Sequence, residues 1–441
     1  MEPLMIGLLT LGLLLLLIIC GIHVAMALAL TSVLGVWIAV GDFQASINLL
    51  SSTAFQGIRE YVFGVIPLFV LMGLLANMAG ASSELYHSFH VLLRRIRGGL
   101  GMATVGANAV FATITGVSVA SAAVFSKVSL GPMTDLKYDK KFALGTIAGS
   151  SVLGMLIPPS LLFIIYGMLA EVSVGKLFIA GIIPGILLSL VFCSGIFLIS
   201  KVKPHLVGGH DQIEKKQWTR QDFQTIVRPW PVGILVVLML GGLYGGLFTP
   251  TEAGGIGAFG ALLIVLCKRK MNLKVFWQTL VETGYTSASV LLLLITAQMY
   301  SRMLSVGGIL NTLDGLIQNL SVSPTILILI FLFILLIMGT VLDSTSILLI
   351  SMPLMLPFVK SIGFDLIAFG VIAVIVIEIG LLTPPFGLVV YAMKSALGDK
   401  ATIEEIFSGT VPFMVMMGIT VLILLLFPSL STWLPSIMSE L

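Results

Sequence analysis

The chain reads as an all-α polytopic membrane protein made of two inverted repeats, each with a re-entrant helical hairpin and a transmembrane helix broken at a Pro-Pro pair. Three observations lead to that class. Of 441 residues, 58% are hydrophobic and only 10% charged, and the mean hydropathy is +1.13, far outside the range of water-soluble domains. Apolar runs close to the roughly 20 residues that a helix needs to cross a hydrocarbon core recur along the chain, so its solvent is the lipid bilayer. Glycines and prolines of one half recur in the other at a nearly constant spacing.

The net charge of +3 resides in short basic clusters between apolar runs. That is the pattern of cytoplasmic loops and not of a nucleic-acid-binding face, so no nucleic-acid partner is expected. Cys20, Cys193 and Cys267 lie far apart, in or at the ends of apolar segments, and suggest neither a disulfide framework nor a metal site. The first apolar segment, 4–20, lacks a basic leader and runs on into a second at 24–40. It is expected to stay as a membrane helix and not to act as a signal peptide.

Positive charge assigns the sides. Arg94, Arg95 and Arg97 mark one cytoplasmic loop, and Lys137, Lys140 and Lys141 another. Residues 98–134 between them therefore start and finish on the same side, too long for a loop and too apolar for water. This predicts a re-entrant hairpin that turns at Thr115-Gly116-Val117-Ser118. Residues 142–170 then cross outward with a break at Ile157-Pro158-Pro159-Ser160, and 177–199 return to a loop bearing Lys201, Lys203, Lys215, Lys216, Arg220 and Arg228. Segments 231–248, 252–266 and 276–304 make three more crossings, with Lys268, Arg269 and Lys270 inside. Residues 307–323 form an external amphipathic connection, and 324–360 a second hairpin broken over 339–344. Residues 366–393 cross inward with a break at Thr383-Pro384-Pro385, and 409–427 cross back. The expected division is scaffold helices in 1–97, a first hairpin and broken helix in 98–200, a loop and further scaffold helices in 201–323, and a second hairpin and broken helix in 324–441.

The repeat supports this path. Gly154 and Gly380 are 226 positions apart, as are Pro158 and Pro384, and Pro159 and Pro385; Gly181 and Gly409 are 228 apart, as are Pro184 and Pro412. Five crossings separate the hairpins, an odd number, so the halves enter the membrane from opposite faces. Broken helices at equivalent places in two inverted halves point to a substrate and ion site near the membrane midplane. Glycine and proline alone can simply kink packed helices; a repeated Pro-Pro opposite a repeated hairpin break says more.

A broken helix exposes carbonyls at one half-helix end and N–H groups at the other, so one break can coordinate a cation and attract an anion. Sodium, a hard cation, needs only oxygens. In the first half these are expected from Thr115, Ser118, Gly154, Ile157 and Pro159, and in the second from Gly339, Gly380, Thr383 and Pro385. The candidate substrate contacts are the polar groups at the same breaks: Ser118, Ser121, Ser160, Asp343 and Ser344. Asp343 carries the most weight, because a carboxylate inside a membrane is a functional candidate by default; as a helix N-cap it would have a purely local role. Glu378, inside an apolar run, is open to three roles, sensing a proton, binding an ion or pairing with a basic partner, of which the ion pair is favoured. Glu252, after Thr249-Pro250-Thr251, reads as a helix cap. No phosphate-binding Gly-Lys-Ser/Thr loop occurs, so ATP hydrolysis is not expected.

Three stretches resemble the large membrane subunit of tripartite ATP-independent periplasmic (TRAP) transporters: IPPSLLFIIYGMLAEVSVGKLFIAGIIPGIL at 157–187, GGLFTPTEAGGIGAFGAL at 245–262, and GLLTPPFGLVVYAM at 380–393. The resemblance implies an elevator-type fold like that of the ion-transporter superfamily, in a multi-pass protein of the bacterial inner membrane. It also implies sodium-driven import of a small carboxylate, such as a four-carbon dicarboxylate or sialic acid, together with a separate small membrane subunit and a periplasmic substrate-binding protein. The first tip departs from the family's Gly-Ser-Ser-x-Ala pattern: it reads Gly116-Val117-Ser118-Val119-Ala120, so one expected hydroxyl is absent at Val117. The rival expectations are a stand-alone sodium/carboxylate symporter without a binding protein, a passive channel and, more remotely, an intramembrane hydrolase. The last lacks a second catalytic Asp or a Ser/His pair.

Overall fold

A computed structural model describes residues 2–59, 61–208, 218–309, 312 and 323–438. Lys215, Lys216 and most of the expected external connection 307–323 lie outside the described residues. Lipid offers no partner to a backbone N–H or C=O, which leaves the helix as the element that satisfies its own polar groups. The described chain is accordingly helical, apart from a lone backbone bridge between Tyr138 and Val207.

The helices are α1 Pro3–Ile19, α2 Val24–Val40, α3 Phe43–Ile58, α4 Val65–Met78, α5 Ala81–Leu93, α6 Gly99–Thr115, α7 Ser118–Asp135, α8 Lys140–Ser151, α9 Leu153–Leu156, α10 Leu161–Ala170 and α11 Val174–Val202. They continue with α12 Arg220–Val227, α13 Trp230–Tyr244, α14 Pro250–Cys267, α15 Leu273–Val306, α16 Pro324–Gly339, α17 Ser344–Ser361, α18 Leu366–Leu382, α19 Leu388–Leu397, α20 Ile403–Leu426 and α21 Ser429–Met438. Five of these, and α12–α13 taken as one span, are long and apolar enough to cross a membrane, and α4–α5 and α8–α10 are bent pairs that qualify as broken spans, with bends of 63° and 42°.

Their starts follow capping chemistry. Asp42, Ser173, Asn272 and Asp365 each accept a hydrogen bond from a backbone N–H of the first turn of the helix that follows. Thr219 with Asp222, Thr249 with Glu252 and Thr402 with Glu405 form reciprocal capping boxes, which satisfy two otherwise unpaired donors each. Glu252 is thus a cap, as expected.

Polar latches tie the basic clusters down. Arg94 grips Asp222 with two parallel bonds of 2.8 and 2.7 Å, fixing the short amphipathic α12 against α5. Glu84 meets Lys268 at 2.5 Å and Arg228 at 3.5 Å, and Lys140 meets Glu405 at 2.8 Å.

Two bodies of packing emerge. In one, α4 lies on α14, α2 and α3 on α15, α1 on α2, and α13 on α14. In the other, α8 crosses α20, α6 and α7 pack on α8, and α16 lies along α18. The halves also exchange contacts reciprocally: α7 of the first half packs on α19 of the second, while α17 of the second packs on α10 of the first. Helix ends repeat with the same spacing as the prolines. Ser118 and Ser344 open α7 and α17; Lys140 and Leu366 open α8 and α18; Leu156 and Leu382 close the segments before the breaks, each pair 226 positions apart. The glycines matched at 228 both sit at close crossings: a Cβ on Gly181 would lie 2.6 Å from the Leu156 carbonyl oxygen, and one on Gly409 2.0 Å from that of Lys141. Small residues that let helices touch are the usual adhesive in lipid.

Candidate functional site

Each hairpin tip meets the Pro-Pro break of its own half. At the first, α6 ends at Gly116, which adopts φ 60° and whose carbonyl accepts a 3.2 Å hydrogen bond from Leu161 N–H just past the prolines. A Cβ on Gly116 would stand 2.6 Å from the Pro159 carbonyl oxygen, so both the backbone angle and the space require glycine. Gly154 packs on the other side of this tip, with Val117 and Ser118 backbone atoms 3.2–3.3 Å from its notional Cβ. From α4, Gly73 backs Thr115 equally closely. At the second tip, the Thr340 carbonyl accepts a 3.2 Å bond from Phe386 N–H. Both Pro158-Pro159 and Pro384-Pro385 peptide bonds are cis.

The two junctions differ in access. Pro158, Pro159 and Ser160 are buried, as are Gly116 and Ser118, whereas Val341, Pro384, Pro385 and Phe386 are exposed. The first junction is sealed by protein and the second is open.

Several candidate side chains are already engaged. Ser160 caps α10: its hydroxyl donates to the Met155 carbonyl and accepts from Phe163 N–H. The buried Ser121 hydroxyl donates to Asn108 Oδ1 at 2.7 Å, and Asn108 in turn donates to Ser150 Oγ at 2.6 Å, a chain that ties α6, α7 and α8 together. Asp343 caps α17, its carboxylate accepting from Ser346 N–H at 3.0 Å and from the Ser346 hydroxyl. Thr115 and Thr383 donate to carbonyls one turn back within their own helices, at 3.2 and 2.8 Å. Gly339 and Gly380 face each other, and a Cβ on Gly380 would lie 2.5 Å from the Gly339 Cα; close helix packing alone accounts for both glycines. Ile157 ends the first half of its broken helix in extended conformation. Ser344, at 5% exposure, opens α17 beside Asp343.

Two groups stand apart. Ser118 is fully buried, and its hydroxyl has no hydrogen-bond partner among the described residues. Glu378 is also fully buried, and neither of its carboxyl oxygens has one. The ion pair expected of Glu378 is absent among the described residues; Ser118 of the other half lies beside it, at a geometry short of a normal hydrogen bond. Asn108 and Gly73 carried no signal in the sequence, because an isolated Asn or Gly in an apolar run does not reveal which helix it will face.

A cavity of about 560 Å³ opens between Tyr61, Phe63, Thr249 and Gln298 on one body and Met168, Glu171 and Ser173 on the other. It lies at the far end of α10, about 15 Å along that helix from the first break, and none of the tip residues lines it.

An all-helical membrane body holding two tip–break junctions has the architecture of a polytopic transporter. A family model described as "Tripartite ATP-independent periplasmic transporter, DctM component" matches residues 11–430, and the chain belongs to that family. It is a large permease component, a multi-pass membrane protein and not an enzyme. It is 30% identical to the C4-dicarboxylate TRAP transporter large permease protein DctM of Pseudomonas aeruginosa, over 89% of this chain and 90% of that one. Against the sialic acid TRAP transporter large permease protein SiaM of Vibrio cholerae it is 29% identical, over 89% and 90% of the two chains. The YdaH transporter of Alcanivorax borkumensis shares the fold, with a TM-score of 0.60 and 16% identity over 86% of this chain and 88% of that one.

Proposed function

We propose that this chain carries a small organic anion, a carboxylate such as a C4-dicarboxylate or a sialic acid, into the cell in company with sodium. In this reading the substrate is delivered by a periplasmic binding protein, and a separate small membrane subunit completes the permease in the bacterial inner membrane. The observation that carries the proposal is the pair of hairpin tips, each bonded to the Pro-Pro break of its own half. Such irregular backbone is tolerated at membrane depth only where protein or an aqueous cavity surrounds it. The two relatives at 30% and 29% identity bear the names of different substrates, so overall similarity does not choose between those anions.

The residues suit a hard cation at the first junction. Ser118 offers a buried, unengaged hydroxyl, and the peptide groups around Ile157 and Pro159 are those freed by the break. When bound there, sodium would supply positive charge to offset the carboxylate. The chain's own contribution is to hold oxygens and N–H groups in fixed positions: Gly116 and Gly154 let the tip and the broken helix touch. Ser160, Asp343 and Ser121 keep the half-helices in register. The sealed first junction and the open second one support access from one side at a time. The cavity shared by the two bodies supports an elevator-like displacement of the hairpin body against the other, and with it an inverted arrangement of the halves.

The test is uptake into proteoliposomes containing the chain and its small subunit, with the binding protein outside. Replacing external sodium by potassium at equal ionic strength is expected to abolish accumulation; unchanged accumulation overturns sodium coupling.

A further inference from the structure

We infer that Glu378 and Ser118 form a cation site joining the two halves, in which Glu378 supplies the negative charge; the inference rests on the sodium-coupled reading above. Two residues along a helix correspond to about 200° of rotation. Gly380 of α18 faces Gly339 of the second hairpin, so Glu378 is turned toward the opposite side, where Ser118 opens the second limb of the first hairpin. The broken helix of one half thus stands between both tips.

Among the described residues no basic side chain pairs with the carboxyl. Among the described residues, α9, α10, α16 and α21, which pack on α18, contain no Asp, Glu, Lys, Arg or His. The charged residues of the other helices packed on α18 are few and lie near helix ends: Lys360 on α17, Glu404 and Glu405 on α20, Lys176 and Lys201 on α11, and Lys394 on α19. Lys360, Glu404, Lys176 and Lys201 are exposed, Glu405 is paired with Lys140, and Lys394 donates to the Gly398 carbonyl. On α7 itself Lys127 and Asp135 are exposed. A fully buried carboxylate with neither hydrogen bond nor counter-charge is costly, whereas a carboxylate and a hydroxyl side by side are ligands that a hard monovalent cation takes.

The repeat explains why the charge comes from this place. Val117 occupies the position equivalent to Asp343, and Val152 the position equivalent to Glu378, each pair 226 apart. At these two equivalent positions the second half carries two carboxylates and the first carries none. Asp343 is committed to capping α17; Glu378, which is not committed, reaches across to the first tip that lacks an acid of its own.

The experiment measures thermal unfolding of the purified chain at one pH, titrating sodium chloride against choline chloride at constant ionic strength. The wild type is expected to be stabilised by sodium in a saturable manner. Glu378→Gln is expected to lose that response or to weaken its midpoint by roughly tenfold or more, and Ser118→Ala to weaken it less. A wild-type sodium midpoint in Glu378→Gln overturns the site while leaving sodium coupling itself intact. A wild type indifferent to sodium overturns both. Should Glu378→Gln fail to fold, Glu378→Asp, which keeps the charge but withdraws it by one methylene, is read in the same titration. A weakened midpoint supports the site and an unchanged one overturns it.

Discussion

Asp343 has a local role that its geometry defines. Its carboxylate accepts both the backbone N–H and the hydroxyl of Ser346, the geometry of a helix N-cap, and loss of such a cap costs about 1 kcal/mol. Asparagine caps nearly as well. Asp343→Ala is therefore expected to lower the melting temperature while Asp343→Asn keeps it, and uptake is expected to fall in both because the charge is gone. Wild-type uptake by Asp343→Asn would reduce the residue to a cap. Asp343 was legible in the sequence as an acid just before Ser344 at a break. The isolation of Glu378 was not, since whether a buried acid has a basic partner depends on which helices surround it.

Between elements, contact distance is set by the smallest residues. Gly339 on α16 and Gly380 on α18 bring two backbones together with no room for a methyl group between them. Gly380→Ala is expected to cost about 1–3 kcal/mol by overpacking, read as a lower melting temperature. The control is Gly284→Ala on α15, where a Cβ meets nothing within 4 Å; there a helix interior gains about 0.5–1 kcal/mol from alanine. Equal losses in the two variants would show that the crossing is looser than its geometry. The breaks themselves were readable, because Pro-Pro cannot continue a helix and its repetition is visible without coordinates. The Asn108–Ser121–Ser150 chain was not, since its three members are 13 to 42 positions apart and each looks alone like an ordinary small polar residue in a packed membrane helix.

For the molecule as a whole, the reciprocal exchange of α7 with α19 and α17 with α10 makes each half's hairpin part of the other half's wall, so neither half forms a complete permease alone. In the proposed reading a periplasmic binding protein delivers the substrate. Proteoliposomes with the chain and small subunit but without the binding protein are expected to show no accumulation even under a full sodium gradient. Accumulation without it would favour the stand-alone symporter.

The sequence by itself determined the membrane as solvent, the two hairpins, the paired breaks and the 226-residue repeat, because hydropathy, proline and glycine act through the backbone wherever they occur. Only the tertiary structure decided that Ser121, Ser160 and Asp343 are engaged in local bonds, that the first junction is sealed while the second is open, and that Glu378 of one half lies against Ser118 of the other. Those outcomes depend on which faces of distant helices meet. Helix rotation and crossing set those faces, and neither is written in the spacing of residues along one chain.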